Sequence, residues 1–221
     1  MAPYPRAVLT MLPRPLHLEL EILYRESDGR RLERRITVKQ FHVAHGGGGL
    51  VLSAHCSVSG GFEEFEADRI EHCIDLASGE PVSDLPVLLQ QRYALSRHGR
   101  LEQLQRALGD ELAVLLAMGR ADALLQQEEK RLIAAYLCEH QPDQHPAAPF
   151  TVSELVGQLR WMASPTPSRF AAAVDRLAAA PSTQRLRLYA LCETLADVKV
   201  GRQGLEQPSL DLLQQRWFPL A

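Results

Sequence analysis

Residues 16–24 alternate without a break. Leu16, Leu18, Leu20, Ile22 and Tyr24 share one parity, and His17, Glu19 and Glu21 the other. Successive side chains of a strand point to opposite faces, so a period of two sustained over this stretch predicts a half-buried β-strand. Ser27-Asp28-Gly29 follows as a turn, because Gly accepts positive φ and Asp bonds its own backbone. Leu32, Arg34, Ile36 and Val38 then form a second alternating run toward Phe41 and Val43. The two runs predict a hairpin.

The stretch LVLSAHCSVSGGFEEFEADRI, residues 50–70, carries the next strands. The glycines Gly46, Gly47, Gly48 and Gly49 precede it. A phosphate-cradling loop would need a helix start and Gly-Lys-Ser/Thr after it. A strand, residues 50–56, follows instead, so the run is read as a hairpin loop. Ser59-Gly60-Gly61 is a second turn, residues 62–66 a short strand with Phe62 and Phe65, and residues 70–76 a further one. Ser78-Gly79-Glu80-Pro81 closes the region. Short strands at this density predict a small barrel, which removes exposed edges.

From Pro86 the period becomes helical. Val87, Leu88, Tyr93 and Leu95 suit one face, and Leu101, Leu104, Leu108, Leu112, Leu115 and Leu116 continue at spacings of three and four, with a break expected at Gly109. Residues 141–150, QPDQHPAAPF, read as a linker. Thr151-Val152-Ser153-Glu154 is a capping box ahead of Val152, Leu155, Val156, Leu159, Trp161 and Met162. Thr166-Pro167 opens a helix with Phe170, Val174 and Leu177 on its face. Two more helices are expected, one ending near Val198 and one over residues 207–217. The chain is thus expected to be α+β, with an extended arm at residues 1–15, a small barrel at 16–85 and an all-α helical bundle at 86–221.

Composition narrows the function classes. At 46% hydrophobic and 23% charged residues a core can be buried, and a net charge of −3 argues against a dominant nucleic-acid footprint. Cys56, Cys73, Cys138 and Cys192 are widely spaced, which suits a reducing compartment and buried thiols. Residues 1–15 contain Pro3, Pro5, Pro13 and Pro15 and no continuous apolar core, so they are read as an arm and not a signal peptide. No apolar stretch reaches the roughly 18 residues of a membrane helix. A soluble, cytoplasmic protein that makes no membrane contact is expected.

The order Tyr24, Asp28-Gly29, Arg35-Ile36, Leu52-x-Ala54-x-Cys56 and Phe65-x-x-Asp68-Arg69-Ile70 resembles a WYL domain over about residues 16–84. That resemblance implies an Sm- or SH3-like β-barrel in a bacterial regulator, a bound ligand that is often derived from nucleic acid, and the ligand-contact candidates Arg69, Asp68, Arg35, Arg31, Phe65 and His55. For Arg69 a salt bridge to Asp68 or a nearby strand is the competing reading. The signature Trp-Tyr-Leu falls on Leu50-Val51-Leu52, and the proline common after the Arg-Ile pair is Val38. Two glutamates, Glu63 and Glu66, stand where the family often has arginines. Residues 1–85 hold nine Lys or Arg against thirteen Asp or Glu. Polyanion binding on this face is therefore disfavoured, unless Arg30, Arg31, Arg34 and Arg35 form a patch of their own; a charge-guarded edge strand is the plainer reading of that cluster.

The helical part holds two related stretches, LAVLLAMGRADALLQQEEKRL from Leu112 and LYALCETLADVKVGRQGLEQPSL from Leu188. Each is an apolar helix, then Ala-Asp, a turn, and a Glu before the next helix. Over about residues 86–221 this is similar to the TerB-like bundle of tellurite resistance. The resemblance implies a divalent cation as candidate cofactor, held by Asp122, Glu128 or Glu129, Asp197 and Glu206. Helix capping and first-turn acids explain the same residues without a metal. The turn glycines of that family are Ala123 and Val198 here.

No catalytic motif stands out. His42, His45, His55, His72 and Cys73 lack helical ligand spacing, and Cys138, His140 and His145 are unspecific. No Gly-x-Ser-x-Gly, His-Glu-x-x-His or Walker pattern occurs. Residues 151–177 could be read as helix-turn-helix, but Arg169 and Arg176 alone are thin for reading DNA. The expected function is a non-enzymatic, ligand-sensing or regulatory module that acts through a protein partner. The alternatives are a structural interaction subunit of a bacterial stress-response or phage-defence complex, and a nucleic-acid binder. A nucleotide or oligonucleotide is the candidate ligand, and a homodimer the candidate assembly.

Overall fold

The computed structural model describes residues 13–44, 49–122, 124–141, 149–198 and 206–219. The fold is α+β. A six-stranded antiparallel sheet is followed, among the described residues, by eight α-helices. The chain divides into two compact units, Met1–Glu102 and Gln103–Ala221.

In the first unit the strands are β1 (Arg14–Arg25), β2 (Arg31–Val43), β3 (Leu50–Cys56), β4 (Phe62–Glu66), β5 (Ile70–Asp75) and β6 (Glu80–Pro81), in the order β4-β3-β2-β1-β5-β6. The even residues of β1 are buried from Arg14 to Tyr24. They meet Ile36, Val38 and Phe41 of β2, Leu52, Ala54 and Cys56 of β3 and Phe65 of β4 in one core. The strand starts at Arg14, inside the stretch expected to be an extended arm. Arg14 donates to Gln90 Oε1 (2.7 Å), pairs with Glu102 (3.3 Å) and lies over the Tyr93 ring, so the start of β1 is fixed by a charge buried among partners.

The sheet curls without closing. β4 and β1 are separated by two strands, which in a flat sheet puts them about 14 Å apart. Yet Glu66 N–H donates to the Tyr24 hydroxyl (3.4 Å), and the Tyr24 and Phe65 rings meet edge to face at 5.1 Å. A single 3-10 turn, Ala67–Arg69, carries the chain from β4 at one edge to β5 beside β1. Register shifts at Pro15/Leu18, Leu23/Tyr24 and Val38/Gln40 bend the strands in the way bulges do. No ladder joins β4 to β5 among the described residues, so the closed barrel expected from strand density is an open, curled sheet.

α1 (Leu85–Leu95) packs on β1 and completes that core. Its inward residues are Leu85, Leu89 and Tyr93, at helical spacings of four. Val87 (47% exposed) and Leu95 face out, in contrast to the face expected from sequence. The next helix, α2 (Arg97–Ala107), runs across the division between the units.

The second unit holds α3 (Gly109–Gly119), α4 (Gln127–Glu139), α5 (Val152–Leu159), α6 (Pro167–Leu177), α7 (Ser182–Asp197) and α8 (Gln207–Trp217). α3 is buried around most of its circumference and packs against α4, α6 and α7. A helix apolar on nearly all sides belongs at the centre of a bundle. Trp217 fills the space by α6 and donates its indole N–H to the Val174 carbonyl at 2.9 Å.

Candidate functional site

The six residues expected to contact ligand do not share a site. Phe65 is a core residue. Arg31, Arg35 and His55 belong to the outer face of the sheet, where Arg31 pairs with Glu71 (2.6 Å), Arg35 with Glu21 (2.9 Å), and His55 meets Phe62 edge to face. Asp68 is exposed in the turn after β4, close to Gly49. Arg69 closes the seam of the curled sheet. Its Nε donates to the Arg25 carbonyl (2.9 Å), its guanidinium lies over the Tyr24 ring at 4.9 Å, and Glu66 stands 4.0 Å away. Those contacts place it as a clamp between the ends of β1 and β4.

The remaining arginines of the sheet are paired as well. Arg30 bonds Asp28 (2.6 Å) across the first turn. Arg34, on the inner face, spans Glu26 (2.6 Å) and Glu63 (3.6 Å) and points one nitrogen at Cys56 Sγ (3.5 Å). Glu63, one of the two glutamates standing in place of arginine, is thus the partner of an arginine on another strand. A patch whose cations each face a carboxylate offers little net charge to a phosphate backbone. Burial by itself raises the Cys56 thiol pKa. The Ser59 amide, the Arg34 guanidinium and the Val58 amide outweigh it, and the thiol ends below its ordinary value.

The four acids expected to hold a cation stand in different settings. Asp122 Oδ1 accepts from Leu124 N–H (3.2 Å) in the turn after α3. Glu128 is exposed and pairs with Arg131 (3.3 Å). Asp197 is the exposed last residue of α7, and Glu206 is buried at the start of α8. Glu129, not Glu128, faces inward and accepts from the Gln126 amide (2.7 Å) in a capping box. Among the described residues no group of three or more His, Cys, Asp or Glu side chains stands in position for a metal ion. Glu129 serves as the N3 acid of the α4 capping box, and Asp122 bonds the backbone of its own turn. His45, His145 and Gly46 to Gly48 lie outside the described residues; the Ala44 amide bonds the Gly49 carbonyl (3.1 Å) and closes the β2–β3 hairpin.

The described residues of the second unit form an apolar cleft and a polar one. One, about 580 Å³, is an apolar groove between α4 and α5 lined by Leu132, Ala135, Val152 and Val156. The other, about 370 Å³, is polar and contains Asp110, Arg106, Arg169 and Arg176. Arg176 grips Asp110 with two bonds (2.7 and 2.6 Å), and Arg169 stands 3.4 Å from the same carboxylate. The Arg176 hydrogen bond outweighs partial burial and lowers the Asp110 pKa. Arg169 and Arg176, the two arginines that a helix-turn-helix would offer to DNA, thus both face Asp110 of α3.

Sequence reasoning missed one exposed cluster. Phe62 and Val58 are each 71% exposed, at the free end of β4 and in the turn before it. Parity carried the signal: Phe62 and Phe65 are an odd number apart on one strand, so with Phe65 in the core Phe62 must face out. Comparison with protein-family models, curated proteins and solved structures returned no match.

Proposed function

We propose that this chain is a non-enzymatic regulatory module that works by binding and acts through a protein partner. The curled sheet with its 3-10 turn between β4 and β5 supports the reading of residues 16–85 as a WYL-like domain of Sm/SH3-like type, and the bundle supports a TerB-like second part. The observation that carries the functional reading is the state of the arginines. Arg31, Arg34, Arg35 and Arg69 are engaged by Glu71, Glu26, Glu21 and the Arg25 carbonyl, so the cations that would hold a polyanion already serve the fold. Any ligand of the sheet is then smaller or less anionic than a nucleic-acid strand.

The test pairs two measurements on the full chain. A thermal-shift screen with nucleotides, single-stranded oligonucleotides and divalent ions is expected to show no stabilisation by oligonucleotides. A pull-down followed by light scattering is expected to show a defined complex. Salt-sensitive oligonucleotide binding would replace this reading with a nucleic-acid role, and a clean monomer throughout would remove the partner.

A further inference from the structure

The failure of the sheet to close leaves a specific stretch of backbone open. Residues of an antiparallel strand turn their N–H and C=O groups alternately toward and away from one neighbour. Glu66 N–H points away from β3, since it reaches the Tyr24 hydroxyl. The Gly61 carbonyl points toward β3, where it accepts from the Cys56 amide (2.9 Å). Both observations fix the same alternation, so Phe62 and Glu64 direct their backbone groups outward. Among the described residues β3 is the only strand paired with β4.

The seam is held at the C-terminal end of β4 and, on the inner face, through Arg34 between Glu26 and Glu63. Tyr24, Phe65, Arg69 and the Glu66 amide join β1 to the C-terminal end of β4. The N-terminal end holds Phe62, T-stacked on His55 at 5.7 Å, with Val58 exposed in the neighbouring turn. Phe62 and Glu64 both project from the outer face. No cation faces Glu64 among the described residues, while Glu63 and Glu66 face Arg34 and Arg69.

We propose that the outer edge of β4 at Phe62 and Glu64 takes up an extended segment of a protein partner, with a lysine or arginine opposite Glu64 and an apolar residue opposite Phe62. Resting on the partner-binding role proposed above, it names the partner's chemistry. An added strand satisfies the outward backbone groups, and its side chains at alternate positions meet Phe62 and Glu64 on one face. Charge selects the occupant. A second copy pairing β4 on β4 about Glu64 sets Glu64 against Glu64 and Phe62 against Glu66, and like charges directly opposite are unfavourable. A basic segment turns the same position into an attractive pair.

The experiment follows backbone amide signals of the full chain by nuclear magnetic resonance. The probe is a capped octapeptide alternating lysine with valine and threonine; its counterpart carries glutamate for lysine. Saturable shifts centred on Phe62 and Glu64 are expected with the lysine peptide, with exchange of those two amides slowed about tenfold or more. Glu64→Lys is expected to weaken the lysine peptide about fivefold or more and to favour the glutamate peptide. Glu64→Pro, tolerated on an edge strand but lacking the outward N–H, is expected to abolish binding. Unmoved Phe62 and Glu64 amides, or equal affinity in wild type and Glu64→Lys, would overturn the proposal. A partner that co-purifies equally with wild type and Glu64→Lys would also overturn this edge while leaving the partner-binding role standing.

Discussion

Arg69 is held by a carbonyl, an aromatic ring and a carboxylate at once, and those contacts decide its role. A charged hydrogen bond plus a partly shielded cation–π contact stabilises by about 1–2 kcal/mol. Arg69→Ala is therefore expected to lower stability by about that much, with faster hydrogen exchange at Glu66 and the start of β5, and to leave oligonucleotide binding unchanged. Loss of a nucleotide ligand with unchanged stability would contradict it. Asp75 presents the other kind of residue-scale test. It is nearly fully buried at the end of β5, accepts from the Ala77 amide (2.9 Å) and from Arg92 (2.5 Å), and its pKa lies below the ordinary value because those donors outweigh desolvation. A carboxylate with a depressed folded pKa stabilises above its unfolded pKa and loses that stabilisation as pH falls through the folded value. Asp75→Asn is expected to cost about 1–3 kcal/mol at neutral pH, with the gap to wild type narrowing below a pH of about 4. Urea unfolding at both pH values reads it out, and a gap independent of pH would show that the charge is not what matters.

At the scale of elements, the turn between α1 and α2 depends on one glycine. Ser96 Oγ donates to the Tyr93 carbonyl (2.7 Å) and accepts from the Gly99 amide (3.1 Å), drawing the two helices into a tight junction. A Cβ on Gly99 would stand 2.0 Å from the Tyr93 carbonyl oxygen, which is backbone and cannot step aside. On Gly119 it would meet mainly the tip of Leu125, a side chain that can rotate. Gly99→Ala is expected to cost about 3 kcal/mol, at the upper end for overpacking, and Gly119→Ala clearly less, by thermal unfolding. Equal losses would contradict this account. Elements of this kind differ in how far sequence exposes them. The alternation of residues 16–24 survives because one face is buried against a core and the other carries Glu19 and Glu21. The face of α1 was harder to read: of Val87, Leu88, Tyr93 and Leu95, the sheet beneath takes Tyr93 and part of Leu88 together with Leu85 and Leu89, and leaves Val87 and Leu95 exposed. Trp161 likewise lies past the end of α5 and is 74% exposed, because its helix stops at Leu159. The arginine partners were illegible for a different reason: Arg31–Glu71 and Arg34–Glu63 join residues far apart in sequence, and strand order alone brings them together.

For the whole molecule, the change from strand period to helix period at Pro86 marks where local structure changes, whereas the first compact unit runs to Glu102. The physical reason is the shared core. Leu85 and Leu89 sit within it, and Tyr93 meets Phe41 edge to face at 5.9 Å while donating its hydroxyl to Glu102 (3.0 Å). Arg14 at the start of β1 reaches the same Glu102. Burying Leu85 and Leu89 stabilises by about 3–6 kcal/mol on transfer scales, against a net stability of about 5–15 kcal/mol for a domain. A fragment of residues 1–85 loses Leu89 and Tyr93 from the core, uncovers Phe41 and removes Gln90, Tyr93 and Glu102 from Arg14. It is expected to lack a cooperative transition, with broad amide spectra and bound hydrophobic dye. A fragment of residues 1–102 keeps α1, Tyr93 and Glu102, and is expected to unfold in one cooperative step with the dispersed spectrum of a packed sheet. Cooperative folding of the shorter fragment would mean that the curled sheet closes its own core and that α1 only rests upon it.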